Sequence, residues 1–464
     1  MRRAQVLAAV VVAVLAVAGA TYAERQVGTR SLGTAAPGER APSGAWFCPH
    51  GGGEQDWEIA LQIANPGPDV ATVRIRSISS TKPEAPVTQT IEPGALAVVP
   101  VDGIGRERSS MVEWFGQWVA VGWVAHAGGD ERGVAAEPCA PAAGERWLLP
   151  DGSTATKPQN DYVIVMNPSA RDAVVSFTLL SERKEPIQKS ELTDVVIKPF
   201  HSMAVPLNDK VLGEETVSTI VDAAAGRVVA ASLGVWETGG IRSTLGYLGD
   251  PPATVVFPGG DDAGRTQLTV MSTSLERVQL TADLLGAEQE QPFAGVADAA
   301  PPSESARTFT ATTAEPTSVV FTSAAPGIAA VRRTFGVASD QGSTIGGSPS
   351  AGWLVLPAVS GSPSHPSIAL ANPSEVPAEV RLSLLGTGEG TEPGSVAITV
   401  TVPPRSSVLA PSGFVEAAPG AAVLAVASSG TFVPAAVSYS RGKEGFATFA
   451  VALGIKVPAT WVPT

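Results

Sequence analysis

Trp147-Leu148-Leu149-Pro150, followed after a short interval by Asn167-Pro168, decides how this chain is read, because variants of the pair return three more times. Trp46-Phe47-Cys48-Pro49 leads to Asn65-Pro66, and Trp353-Leu354-Val355-Leu356-Pro357 leads to Asn372-Pro373. A weaker copy runs from Val255-Val256-Phe257-Pro258 to Met271-Ser272, with Ser272 where the others carry Asn. Four copies in 464 residues give units of roughly 100 residues, each long enough to bury a core of its own.

Three landmarks align the copies. Short β-favouring runs (59–65, 162–167, 268–272, 367–372) end at the Asn or Ser, and a second run is under way at Val73, Val175, Leu280 and Val380. Asn-Pro ends a strand well: the residue before proline is pushed to extended backbone, proline lacks a ladder donor, and Asn bonds its own turn. Prolines spaced by seven then bracket an edge strand: Pro93 and Pro100, Pro199 and Pro206, Pro404 and Pro411, with Pro316 and Ser323 in the weaker copy. A closing hairpin follows, as in Trp118 to His126 with Gly128-Gly129, or Val228 to Glu237 with Gly239-Gly240.

Short strands separated by Gly/Pro turns, without long helical periodicity, predict an all-β protein of four tandem immunoglobulin-like antiparallel β-sandwiches. Helical turns are expected over Ser109 to Gln117 and Leu212 to Asp222. The expected boundaries are 1–23 (signal peptide or membrane anchor), 24–44 (flexible tether), 45–141, 142–252, 253–350 and 351–457 (the four sandwiches, the third degenerate) and 458–464 (tail). The linkers are short, so the units are expected to stack as a semi-rigid rod. The stretch from Gly286 to Ser305 reads as a long mobile loop.

Composition excludes several classes of function. With 48 Gly, 39 Pro, 16% charged and 44% apolar residues the chain is turn-rich but too apolar to be disordered. A net charge of −13 without a Lys/Arg cluster argues against nucleic acid or anionic lipid as a partner. Met1-Arg2-Arg3 and the apolar run from Val6 to about Ala20 form an export signal, either cleaved or long enough to anchor the chain in a membrane. The address is extracytoplasmic, and there Cys48 and Cys139, the two cysteines of the chain, are expected to form a disulfide across the first unit.

Catalytic signatures are missing. His50, His126, His201 and His365 occupy different landmarks of different units, and no nucleophile elbow, zinc helix, P-loop, dinucleotide fingerprint or EF-hand occurs. Gly128-Gly129-Asp130-Glu131 and Gly259-Gly260-Asp261-Asp262 read as turn acids and not as Ca²⁺ loops, since neither has the ligand count. No cofactor, metal or enzymatic activity is expected. The first unit holds Trp46, Trp57, Trp114, Trp118 and Trp123. Core packing is the plain reading, but Trp118 and Trp123, five apart in one strand, should face opposite sides, which makes Trp114, Trp118 and Trp123 candidate binding residues.

The export segment, Trp-x-x-Pro openings, Asn-Pro hairpins and Ala/Val/Pro/Gly-rich composition resemble a family of exported actinobacterial proteins of unknown function. That resemblance implies an envelope address and supplies no activity. The expected function is a non-catalytic, secreted or membrane-anchored scaffold or interaction module whose partner is an envelope protein or cell-wall polymer. The alternative is a glycan- or polymer-binding protein that uses exposed tryptophans of the first unit.

Overall fold

The opening signature forms the first strand of each unit: Ser43–Cys48, Arg146–Leu149, Thr254–Phe257 and Gly352–Val355. In three units its indole N–H donates to the carbonyl that immediately precedes strand seven, in the opposite sheet: Trp46 to Val119 at 2.8 Å, Trp147 to Val228 at 2.7 Å and Trp353 to Phe432 at 2.8 Å. One side chain thus fills the core and ties the two sheets together. The third unit has no tryptophan here, and Phe257, its one aromatic residue in this strand, is not the equivalent of Trp147 and Trp353. The segment after strand eight returns to strand one at Leu148↔Tyr247, Val256↔Gly347 and Leu354↔Ile455, which puts Val255 at the tryptophan position and buried Phe257 two residues on, on the same face.

The structure is a computed structural model that describes residues 43–461, apart from 54–55, 82, 156–158, 184, 237–239, 260–264, 277, 287–289, 298–300, 303, 314–316, 336–340, 359–364, 387–395, 417, 419 and 442–446. The export segment and almost all of the tether lie outside these residues, as do Asp261 and Asp262.

Each unit is an antiparallel sandwich of two four-stranded sheets, ordered 1-6-3-4 and 5-2-7-8, and in the second and fourth units a short extra strand pairs with strand one. Eight strands per unit exceed the number evident from the apolar runs, because edge strands as short as Val195–Ile197 carry too few residues to show a period. Strands one and two lie in opposite sheets, whereas an immunoglobulin domain keeps its first two strands together.

The asparagines span the sandwich. At the end of strand two, Asn167 donates to Arg171 O at 2.7 Å within its turn and to Ile197 O at 2.9 Å in strand four of the other sheet, while its Oδ1 accepts from Ser169 N at 3.0 Å. Asn65 and Asn372 repeat the pattern, reaching Ile91 O at 3.0 Å and Val402 O at 3.1 Å. Ser272 is too short to cross, and its hydroxyl accepts from the turn amide of Ser274 at 3.3 Å.

Three expectations are corrected. Ser109–Phe115 and Val217–Ala225 are the sixth strands and not helical turns. Burial alternates along Ser109–Phe115 with a period of two, and pairing to strand three on one side and strand one on the other overrides the local helical spacing. The stretch from Gly286 to Ser305 puts Phe293 and Val296 into the core of the third unit. The units also do not form a rod.

Residues 42–464 form one compact body in which the four sandwiches close into a ring. Strand six of one unit begins beside strand five of the next. Ser109 Oγ meets Ser202 Oγ at 3.0 Å, Thr216 meets Thr308 at 2.7 Å, Ser318 meets Ser407 at 2.7 Å, and at the last seam Gly386 N donates to Gly94 O at 2.9 Å. The same head-to-tail relation recurs and brings the fourth unit back to the first, the condition for a closed heterologous ring. The eighth strands (Gly133–Pro138, Ile241–Leu245, Gln341–Ile345 and Ala447–Leu453) pack against one another at its centre, so their edges are covered by neighbouring units.

Candidate functional site

The residue after the opening signature sits at the seam with the next unit and differs in every copy: His50, Asp151, Gly259 and Ala358. At the fourth seam Ala358 joins Trp353, Val355 and, from the first unit, Val124, Val134 and Ala136 in one apolar core. In the first unit His50 is buried against Trp123, with ring centroids 5.9 Å apart, and its ring nitrogens lie 2.6 Å from Gly51 O and 2.9 Å from Ser110 Oγ. Burial pushes its pKa down to about 4, so the ring is neutral at neutral pH.

Asp151 occupies the same position at the second seam and gathers donors from two units. Arg242 Nε at 2.8 Å and Thr244 Oγ1 at 3.0 Å come from its own unit; Arg333 Nε at 2.5 Å and Ser343 Oγ at 2.7 Å come from the third. Arg242 also donates to Asp161 at 2.9 Å, and Asp161 accepts from Ser153 N at 2.5 Å and Gln159 at 3.0 Å. Arg242 and Asp151 are each 1% exposed along their side chains, so this is a dry cluster of two carboxylates and two guanidiniums.

Burial alone would raise the Asp151 carboxyl, but Arg242 and Arg333 outweigh it and hold the group well below the usual carboxylate range. The two arginines respond differently to that shared partner. Arg242, bonded to both aspartates, is held charged above its ordinary value despite burial, whereas burial and the facing Arg242 lower Arg333. Glu137, on strand eight of the first unit, completes the cluster: burial first, then the Asp151 carboxylate, raises its pKa well above the ordinary value and favours the neutral acid. Nearby, Tyr247 O–H of the second unit donates to Ala330 O of the third at 2.9 Å and accepts from Gly346 N at 2.8 Å. Neighbouring Arg332 donates to Thr266 Oγ1 at 2.9 Å and Phe257 O at 3.2 Å, and burial lowers its pKa to about 10.

The residues singled out in the sequence are not brought together into a site. Cys48 and Cys139 are bonded, with Cα atoms 4.5 Å apart. Cys139 falls where Gly246, Gly346 and Gly454 stand in the other units, next to the residue that returns to strand one, so the staple reinforces a closure that every unit makes. Trp114, Trp118 and Trp123 are all buried, at 5%, 8% and 2% exposure, and none offers a stacking face to solvent. Trp114 packs on Gly44, where a Cβ would lie 2.5 Å from the ring. Trp118 precedes strand seven (Ala120–Ala127), so the alternation argument does not apply to it; Trp46 and Trp461 enclose it edge-on at 6.2 and 5.3 Å. Glu131 is held by Trp57 Nε1 at 2.8 Å and by Arg106, whose guanidinium lies 5.5 Å from the Trp57 ring and 5.3 Å from Tyr162 of the second unit. His201 bonds Pro199 O at 2.8 Å, and no cluster of metal-ligating side chains occurs among the described residues.

The cluster residues Glu137, Asp151, Asp161, Arg242 and Arg333 carry no motif. For Arg333 the signal was charge within an otherwise apolar strand, Ile328-Ala329-Ala330-Val331-Arg332-Arg333, which marks a buried charge in need of a partner; Asp151 lies outside any strand and gave none.

An all-β ring of four sandwiches with a sealed charge cluster at one seam is the class that fold and site define. A family model matches residues 110–359 and 347–448, and the chain belongs to that family, described as a family of unknown function, DUF5719. Comparison with curated proteins finds no match. Solved structures with some similarity include Thermotoga maritima 1070, at 21% identity and a TM-score of 0.21 over 23% of this chain and 95% of that one. Trypsin-activated alpha-2-macroglobulin from Escherichia coli aligns at 9% identity and a TM-score of 0.12 over 88% of this chain and 42% of that one. A tetra-tandem repeat from the extending region of a large adhesion protein aligns at 13% identity and a TM-score of 0.08 over 85% and 94%.

Proposed function

We propose that this chain is a non-catalytic scaffold of the cell envelope, exported by its N-terminal segment and acting by displaying surfaces to another envelope protein or polymer. One observation carries the reading: the strongly perturbed titratable groups Asp151, Arg242 and Glu137 are buried at the seams, with Asp151 bonded to Arg242 and to Arg333 of the neighbouring unit. Perturbed groups in an open cleft would favour catalysis; sealed between units they favour assembly. A ring closed on itself leaves its outward strands and turns as the display surface, the parts where sandwiches carry their contacts. The disulfide favours an oxidising compartment. The glycan-binding alternative loses its platform, since the three tryptophans it needed are in the interior.

Fractionation of producing cells tests the address, and pull-down from envelope extracts with the disulfide-bonded chain tests the role. Recovery of the full-length chain in the cytosol overturns the address. Sustained turnover in a panel of glycans, esters and peptides by the purified chain overturns the scaffold reading.

A further inference from the structure

Strand four is the outermost strand of the 1-6-3-4 sheet in every unit, and the four copies protect that edge differently. In the second unit it is three residues, Val195–Ile197, after Ile187 has already bridged to Leu179 and Asp194 has turned the chain at φ 54°. In the third it is three residues, Glu290–Pro292, and contains a proline. In the first it is Val87–Ile91, following Pro86 and leading into Glu92-Pro93. Short strands, breaks and prolines are the devices that keep an edge from pairing with strangers. The fourth unit has the longest of the four strands, with no break inside it and with prolines only beyond its end, at Pro403-Pro404. Its strand four, Ala397–Val402, reads Ala-Ile-Thr-Val-Thr-Val, with no charge or proline and with β-branched residues at every position but the first. Ile398 and Val400 are half-buried against the core of their unit, Thr399 and Thr401 are exposed, and among the described residues no strand pairs with its outer side.

We propose that this edge is a self-association surface: two copies of the chain pair through Ala397–Val402, antiparallel, about a two-fold axis at Thr399. The sequence is complementary to itself in that register. Ile398 lies opposite Val400 of the other copy, Ala397 opposite Thr401 and Thr399 opposite Thr399, so apolar side chains meet on the core side and threonines on the solvent side. The charge pattern favours a second copy here over other surfaces. The chain carries a net −13, so most of its surface repels another copy, but this strand brings no charge. The strand behind it, Ala378–Leu385, sets one charge of each sign in register with the exposed threonines, Glu379 beside Thr401 and Arg381 beside Thr399. The contact is isologous, so it closes at two copies. It stands independently of the scaffold reading.

The chain has no free cysteine among the described residues, and both of its cysteines are in the disulfide, so an introduced thiol is unambiguous. In the full chain, Thr399→Cys is expected to give a covalent dimer under mild oxidation, faster than Thr88→Cys on the equivalent strand of the first unit. Analytical ultracentrifugation is expected to find the wild type dimeric. Thr399→Lys, which sets two ammonium groups opposite each other, is expected to be monomeric with an unchanged unfolding midpoint. A wild type that is monomeric at all concentrations overturns the proposal. So does a dimer that survives Thr399→Lys, or a Thr399→Cys chain that cross-links no faster than Thr88→Cys.

Discussion

Arg333 of the third unit donates its Nε to Asp151 of the second at 2.5 Å, opposite Arg242, which reaches the same carboxylate from within the second unit at 2.8 Å. The contact makes the buried inner part of the second seam ionic. Its counterpart at the first seam sets Leu233 against Gly51, beside buried His50. The outer part of the seams is diversified too: Arg76 stacks on Phe200 at 4.6 Å at the first, and Arg405 pairs with Asp283 at 3.4 Å at the third. Buried polar groups are best attested as devices that select register, and four similar surfaces that must meet in one order are a setting where register matters.

Removing Asp151 is expected to cost more than removing either of its arginine partners. Asp151→Ala leaves Arg333 buried without its carboxylate, and losses of about 3–5 kcal/mol are typical for breaking a buried pair. Arg333→Leu places at this seam the residue the first seam uses and leaves Asp151 with Arg242, Thr244 and Ser343, so its cost should be smaller. Denaturant unfolding of the two variants ranks them, and the reverse order would remove Asp151 from the centre of the cluster.

Glu137 predicts a pH dependence of definite sign. Its folded pKa is raised, so between the ordinary value of 4.5 and the folded value the native state holds more protons than the unfolded state. The group's contribution is therefore fully present below pH 4.5 and is lost as the pH rises toward the folded value. Glu137→Gln abolishes that titration. Stability curves of wild type and variant should run parallel in acid and separate on going to neutral and alkaline pH, with the variant the more stable. A gap that stays constant with pH would mean that Glu137 titrates alike in the folded ring and in the unfolded chain.

The asparagine clamps should behave alike in three units. Asn167→Ala strands the carbonyl of Ile197 inside the sandwich, while Arg171 O in the turn keeps Ser169 Oγ, and a buried group left unpaired costs about 1–3 kcal/mol. Asn65→Ala and Asn372→Ala remove the corresponding bonds to Ile91 and Val402 and are expected to fall in the same range, whereas Ser272→Ala, which breaks only a turn contact, should be nearly neutral. Thermal unfolding of the four variants checks the set. An equal loss from Ser272→Ala would show that the turn, and not the crossing between sheets, is what matters.

Much of the architecture was legible because it repeats. Asn-Pro and Trp-x-x-Pro mark fixed places in a strand order, and the disulfide followed from two cysteines at the ends of one unit. The ring was not legible, because the contacts that close it join residues far apart in the chain with no shared motif: Gly386 with Gly94, Trp461 with Trp118, and Val124 with the core around Trp353. The tryptophans misled for a related reason. Counting alternation assumed that Trp118 belongs to strand seven, but that strand starts at Ala120, and Trp118 packs against a residue more than three hundred positions away. Its partner belongs to the tail, which contributes no apolar run of its own.

That partner, Trp461, supplies the last prediction. It lies in a single 3-10 turn, Ala459–Trp461, after the last strand of the fourth unit, and meets Trp118 of the first unit edge-on at 88°. Such aromatic pairs contribute about 0.5–1.5 kcal/mol beyond burial. If the tail latches the ring, a double-mutant cycle of Trp118→Ala and Trp461→Ala should return a coupling of about that size. Amide exchange should then quicken in Trp461→Ala at the seam between the fourth and first units, at Gly386, and not at the second seam, where Gly346 is held by Tyr247. Exchange that quickens equally at both seams would mean that Trp461 stabilises the whole body and holds no particular joint. A coupling near zero would mean that the two rings merely share space.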